Sequence, residues 1–174
     1  MSRTRRSITG LIALLVALAT PAHTKTAAPT LSGGAKSKEE LVSRLVDALS
    51  HQDAEKLRAL RVNQEEYVGI ILPGSVPKGQ PLRKWPPDVT GYFFRDMDTK
   101  CRYAEQHLLE LFGGHDMTVE SFEFERGTTQ FANYVAYRQL RVKLKDTTSK
   151  EADLATGSIA EVNGRYKFIS FLAD

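Results

Sequence analysis

The chain has 174 residues, enough for one domain with a substantial core. Its formal charge of +3 resides in the first 22 residues, which hold Arg3, Arg5 and Arg6 and no acid; without them 21 basic residues face 21 acidic ones. A neutral domain lacks the concentrated positive field that nucleic-acid binding relies on, so nucleic acid is not an expected partner, and the single cysteine, Cys101, excludes an internal disulfide.

Met1–Ser7 is basic, Ile8–Ala19 is apolar or small, and Thr20-Pro21-Ala22 places small residues before His23 at the positions a signal peptidase reads. The pattern predicts a secretory signal peptide over residues 1–22 and a Sec-type route to the periplasm or the exterior. Thr4-Arg5-Arg6-Ser7-Ile8 also resembles a twin-arginine signal, with a short n-region. The apolar run is shorter than the span of about 20 residues a bilayer needs. No stable membrane insertion is therefore expected after cleavage. Residues 23–36, mainly Thr, Ala, Pro, Ser and Gly, read as a flexible linker, and the domain is expected over residues 37–174.

Ser37-Lys38-Glu39-Glu40 is a capping box, followed by Leu41, Val42, Leu45, Val46 and Leu49 at helical spacing. Asp53 can cap a second short helix that buries Leu57 and Leu60, and Asn63-Gln64-Glu65-Glu66 repeats the capping logic ahead of Tyr67, Ile70 and Ile71. Pro73–Pro87 holds five of the seven prolines and the only tryptophan, Trp85. Proline cannot donate to a ladder, so this stretch reads as an ordered crossing loop anchored by Trp85. The longest helix starts at Asp88 or Thr90 and stops at Gly113-Gly114. Its Phe93, Met97, Cys101, Ala104, Leu108 and Phe112 share an arc roughly 100° wide, which predicts Met97, Cys101 and Leu108 against the sheet and Glu105 outside it.

Met117–Arg126 reads as a first strand. From Phe131 to the C-terminus the chain reads as three long antiparallel strands. Tyr134, Ala136, Arg138, Leu140, Val142 and Leu144 occupy one face of the first, and Arg141, Lys143 and Lys145 lie on the solvated other face. Glu151–Val162 follows with a bulge at Gly157. Asn163-Gly164 is a strong type I′ hairpin signal, and Tyr166–Leu172 runs on as the last strand.

Short helices, one long helix and then a strand meander give an α+β order. The N-terminal helices and the long helix are expected to pack on a strongly curved antiparallel β-sheet, a cystatin-like cone. Leu41–Leu49 with Asp53 just after it, and Asn163–Phe171 at the end, carry a resemblance over residues 37–174. The chain resembles the nuclear transport factor 2-like superfamily, which includes SnoaL-like cyclases and ketosteroid isomerase. The resemblance implies the cone; members include enzymes and many binding domains, so it does not decide function.

No H-E-x-x-H, C-x-x-C, P-loop or nucleophile-elbow motif is present, and the four histidines lack metal-ligand spacing. No metal, cofactor or catalytic residue is assigned. Asp96, Tyr103 and His107 border the apolar arc of the long helix on one face, and Tyr134 and Arg138 share the strand face that carries Leu140. These five are the candidate ligand-binding residues of a pocket between helix and sheet. The expected function is an exported, non-catalytic binding domain of the cell envelope that takes a small apolar ligand or a protein partner, and the composition leaves a homodimer open. A cofactor-independent isomerase, cyclase or hydrolase with an acid–base site in the cone is the alternative.

Export should remove residues 1–22. Intact-mass analysis of the secreted or periplasmic product tests this, and a membrane-bound product retaining Met1–Ala22 contradicts it.

Overall fold

The computed structural model describes residues 28–173. The expected signal peptide, and residues 23–27 of the expected linker, lie outside the described residues. The remainder of the expected linker is a packed part of the domain. Leu31 and Ala35 are buried, Ala35 exchanges backbone hydrogen bonds with Tyr166 at 2.9 and 3.0 Å, and the Asn163 side chain donates to the Pro29 carbonyl at 2.7 Å. The polar composition of the segment hid two apolar residues that close the core and cover the free edge of the last strand.

Helix α1 (Lys38–Ser50) begins as its capping sequence dictates, with the Glu40 amide donating to the Ser37 hydroxyl at 3.1 Å. The Glu40 carboxylate reaches back one residue further than a capping box requires, to the Lys36 amide. Asp53 caps α2 (Ala54–Ala59) through the Lys56 amide. Asn63 and Glu66 form the reciprocal box that opens α3 (Gln64–Glu66). A π-helical turn (Tyr67–Ile71) and α4 (Leu72–Gly74) continue from it. Helix α5 (Pro87–Phe112) starts at a proline in its first turn, where no amide donor is needed, and ends at Gly113.

Seven strands follow: β1 (Met117–Phe124), β2 (Thr128–Gln130), β3 (Val135–Tyr137), β4 (Leu140–Asp146), β5 (Glu151–Thr156), β6 (Ile159–Val162) and β7 (Arg165–Phe168). They form two antiparallel sheets, ordered β1-β4-β5 and β2-β3-β6-β7. The expected long strands are thus interrupted. Tyr137 pairs with Ile159 and Leu140 with Thr156, so both chains leave the ladder at one level, Arg138-Gln139 opposite Gly157-Ser158. The neighbouring chain breaks there too, at Glu125–Gly127. Gln139 and Gly127 have positive φ at this crease, and the Leu140 amide still donates to the Gly157 carbonyl at 3.2 Å.

Gly157 is therefore more than a bulge. The chain after β7 crosses directly over it, and a Cβ there would lie 2.3 Å from the Ser170 carbonyl oxygen and 2.6 Å from that of Leu172. The crossing ends β7 early and sends Phe171 into the core, where its ring meets Phe168. The Thr156 hydroxyl donates to the Phe171 carbonyl. The Asn163-Gly164 hairpin forms as the sequence demands, with both residues at positive φ.

The main core draws on both sheets, with Ile159 and Phe168 entering it from β6 and β7, and the second sheet also covers a core of its own. Leu140, Val142, Leu144 and Leu154 pack with α1, Leu57 and Leu108, and Phe168 and Phe171 fill the same cluster. Tyr134, Ala136, Ala160 and Val162 pack with Leu31, Val62, Ile70 and Ile71. Period-two alternation carries through both, because Tyr134 and Ala136 serve one core and Leu140, Val142 and Leu144 the other.

Helix α5 packs against α1, α2 and the π-helical turn rather than lying chiefly on a sheet. Cys101 and Leu108 are buried as expected, and Met97 is half-buried. Glu105, expected outside the apolar arc, is only 3 % exposed. It follows Cys101 by four residues and precedes Leu108 by three, so it belongs to the same face. Its Oε2 accepts from Arg58 of α2 at 3.4 Å, and its Oε1 is buried without a hydrogen-bond partner.

Four substitutions test this packing by urea denaturation. Gly157→Ala should cost about 1–3 kcal/mol, because only backbone lies in the way of the new methyl group. Leu108→Ala should cost about 2–5 kcal/mol. Glu105→Ala should cost about 1–3 kcal/mol, while exposed Gln106→Ala should stay within about 0.5 kcal/mol.

Candidate functional site

The five residues singled out from the sequence are not brought together. Tyr103 is 72 % exposed, the His107 side chain faces solvent near Glu110, and Asp96 is exposed and paired with Lys100 at 2.7 Å. Tyr134 is buried in the second core, stacked on Phe131, with its hydroxyl 2.9 Å from that of Ser75. Arg138 is half-buried at the crease, where its amide donates to the Gly127 carbonyl. None of the five lines any of the cavities described below.

Charged side chains inside the domain are committed to one another. Both carboxylate oxygens of Glu66 accept from Lys167 Nζ, at 3.1 and 2.9 Å, and also from the Ser32 and Asn63 amides. Arg61, only 4 % exposed, donates to Asp98, which also accepts from Arg102 at 2.9 Å. Burial alone would raise the Asp98 carboxyl; the hydrogen bonds from Arg61 and Arg102 outweigh it and hold the group below the ordinary carboxylate range. These pairs border a cleft of about 630 Å³ between the N-terminal segment, α2 and α5. Its polar groups bolt elements together. The Tyr137 hydroxyl donates to Glu161 at 2.7 Å; that bond first, then burial, pushes its pKa far above the usual phenol value, so it keeps its proton at neutral pH.

A larger opening lies elsewhere, between α1 and β1. This groove has a volume of about 880 Å³. Its floor is apolar: Val42 and Val46 from α1, Met117, Val119 and Phe122 from β1. Val119 is 37 % exposed. A smaller hollow of about 170 Å³ shares Met117 and Asp146 with it and adds Phe112 and the exposed Leu111 at the end of α5.

Glu39, Asp47, Asp116, Glu120 and Asp146 stand around the groove, and no Lys or Arg lines it. Asp47 lies within ion-pair reach of Lys56, and Glu120 of Lys145. Asp146 accepts three hydrogen bonds within its own turn, from Thr148 and Lys150. In the basic run beyond the groove Arg141 pairs with Glu125 and Lys145 with Glu120, while Lys143 is exposed.

Strand β1 is an edge strand, because the sheet order ends with it. Its pairing with β4 shifts register between Val119 and Ser121, leaving Glu120 outside the ladder. A bulge and a charge at an edge oppose pairing with another β1 while leaving the strand reachable. The sequence carried one sign of this site, the run Met117-Thr118-Val119, which places apolar side chains on a strand whose partner across the groove is not local. Val42 and Val46 are buried in the apolar stripe of α1, and the acids come from three separate parts of the chain.

Among the described residues no three or more His, Cys, Asp or Glu side chains gather to hold a metal ion, and no helix is long and apolar enough to cross a membrane. No protein-family model, curated protein or solved structure matches the chain.

Proposed function

We propose that this chain is an exported, non-catalytic binding domain of the nuclear transport factor 2-like type, and that it holds a cationic, partly apolar segment of another envelope protein in the groove between α1 and β1. The groove carries this reading: an apolar floor ringed by five carboxylates and lined by no lysine or arginine, with His51 beside Asp47 its one basic side chain. An apolar anchor and complementary charge are what a peptide-binding groove needs for affinity and for choice of partner. A 13-residue helix on one side and an eight-residue edge strand on the other suit an elongated occupant.

The family assignment rests on the element order and on the long meander after α5. The strongly curved, cone-like sheet belongs to the same proposal, and three neighbouring chain segments leaving their ladders at one level support it. The commitment of the interior charges to ion pairs and caps favours binding over acid–base chemistry.

Fluorescence anisotropy with a labelled Lys- and Leu-rich peptide tests the groove. Micromolar binding is expected, with little binding of a Glu- and Leu-rich control. Val119→Arg should weaken it at least tenfold, about 1.4 kcal/mol, by placing a cation among the carboxylates. Equal binding of both peptides, or no effect of Val119→Arg, would reject the groove as the site.

A further inference from the structure

A second surface has the opposite chemistry. The loop before α5 and the first turns of that helix join in a continuous contact: Arg83 lies over the Trp85 ring at 5.1 Å, Trp85 meets Phe93 edge-on at 5.4 Å, and Phe93 lies 6.0 Å from Tyr92. Leu82 beside Arg83 is 50 % exposed and Tyr92 is 61 % exposed. Few large apolar or aromatic side chains of the domain are so open to water. Trp85 is half-buried, and its indole N–H is buried with no hydrogen-bond acceptor among the described residues.

The loop that presents this cluster is stiff. Prolines occupy positions 77, 81, 86 and 87, the Arg83 amide is held by the Pro73 carbonyl at 2.9 Å, and Pro77 bridges to Phe131. Exposed apolar groups on a rigid support do not collapse onto the domain.

Arg83 sits on the Trp85 ring, and Lys78, Lys84 and Arg95 flank the cluster along the chain, with Asp88 the single acid between residues 77 and 95. No ion pair engages any of these four cations among the described residues. Lys100 and Arg102, further along the same helix, are held by Asp96 and Asp98. Free cations around an exposed leucine and amphipathic aromatic rings match an interface that is anionic at its surface and apolar beneath. Tyrosine and tryptophan favour the headgroup level of a bilayer, and cations near an anionic leaflet each add to the attraction.

We propose that the Leu82–Trp85–Tyr92 prominence docks the domain peripherally on an anionic lipid bilayer. Leu82 and Tyr92 enter the headgroup layer, and Lys78, Arg83, Lys84 and Arg95 meet the lipid phosphates. The contact is reversible and salt-sensitive, and it is separate from any membrane-spanning segment. It leaves the acidic groove, which a negative surface repels, free for its partner.

Trp85 is the only tryptophan, so its fluorescence reports from inside the proposed contact. The full chain is mixed with vesicles of neutral phosphatidylcholine, or of the same lipid with about a third phosphatidylglycerol, and every variant carries the same N-terminus. Anionic vesicles should shift Trp85 emission to shorter wavelength, and lipids brominated near the headgroup should quench it. The double variant Arg83→Glu, Lys84→Glu should lose at least tenfold in vesicle affinity, as should 0.5 M salt. Leu82→Ser should weaken binding to a lesser extent, and thermal unfolding followed by circular dichroism should be unchanged in all three variant positions. Equal affinity for neutral and anionic vesicles, unaltered Trp85 emission on bound protein, or undiminished binding by the double variant would overturn the proposal. So would a concentration-dependent dimer in sedimentation that Leu82→Ser abolishes, since the prominence would then be a contact between copies.

Discussion

The close passage of the C-terminal segment over Gly157 is the constraint on which the architecture depends. With no side chain at that point, the Ser170 and Leu172 carbonyls can lie against the strand that would otherwise continue unbroken. The strand divides into β5 and β6, and its neighbours divide at the same level. Two small sheets result; the first buries a face in the main core, and the second contributes Ile159 and Phe168 to that core and Ala136, Ala160 and Val162 to another. The crossing also determines where the chain ends. Phe171 arrives in the main core beside Phe168, and large side chains fill space that would otherwise lie open between the helices and the first sheet.

A second layer of order comes from buried charge. Glu66 opens α3, receives Lys167 from β7 and takes the amide of Ser32. Three distant parts of the chain thus meet at one carboxylate. A buried ion pair adds little net stability against an apolar alternative, yet removing one partner leaves an uncompensated charge. It ties β7 to the start of α3 and to the N-terminal segment. The Arg61–Asp98 and Arg58–Glu105 pairs do the same for α2 and α5. These buried groups are engaged with one another across elements.

Function is consequently sought at the surface, where two regions have contrary character. The groove beside β1 is apolar and acidic, and the prominence before α5 is apolar and basic. The 21 basic and 21 acidic residues after residue 22 balance as a whole, so bulk charge says nothing of either surface. A domain with such separated fields can be oriented by one surface while it binds through the other. The rigid proline loop suits the first role, and the open edge strand suits the second.

Local signals in the sequence were sufficient wherever a structure is decided by neighbours. Ser37, Asp53 and Asn63 cap their helices, Asn163-Gly164 turns its hairpin, and alternation from Tyr134 to Leu144 identifies the buried strand face, because each depends on residues only a few positions apart. The mixed α+β class followed from the order of these elements. What involved distant residues was not legible. Leu31 and Ala35 look like linker until β7 offers its edge. Glu105 looks solvated until Arg58 arrives from another helix. Tyr103 and His107 share a helix face with Asp96, but only the packing of α1 and α2 on the opposite side decides that this face meets water. The groove needed α1 and β1, separated by more than sixty residues, to be set side by side. Periodicity reports which side of an element is apolar; which partner covers that side, and what remains uncovered, is settled only when the whole chain has packed.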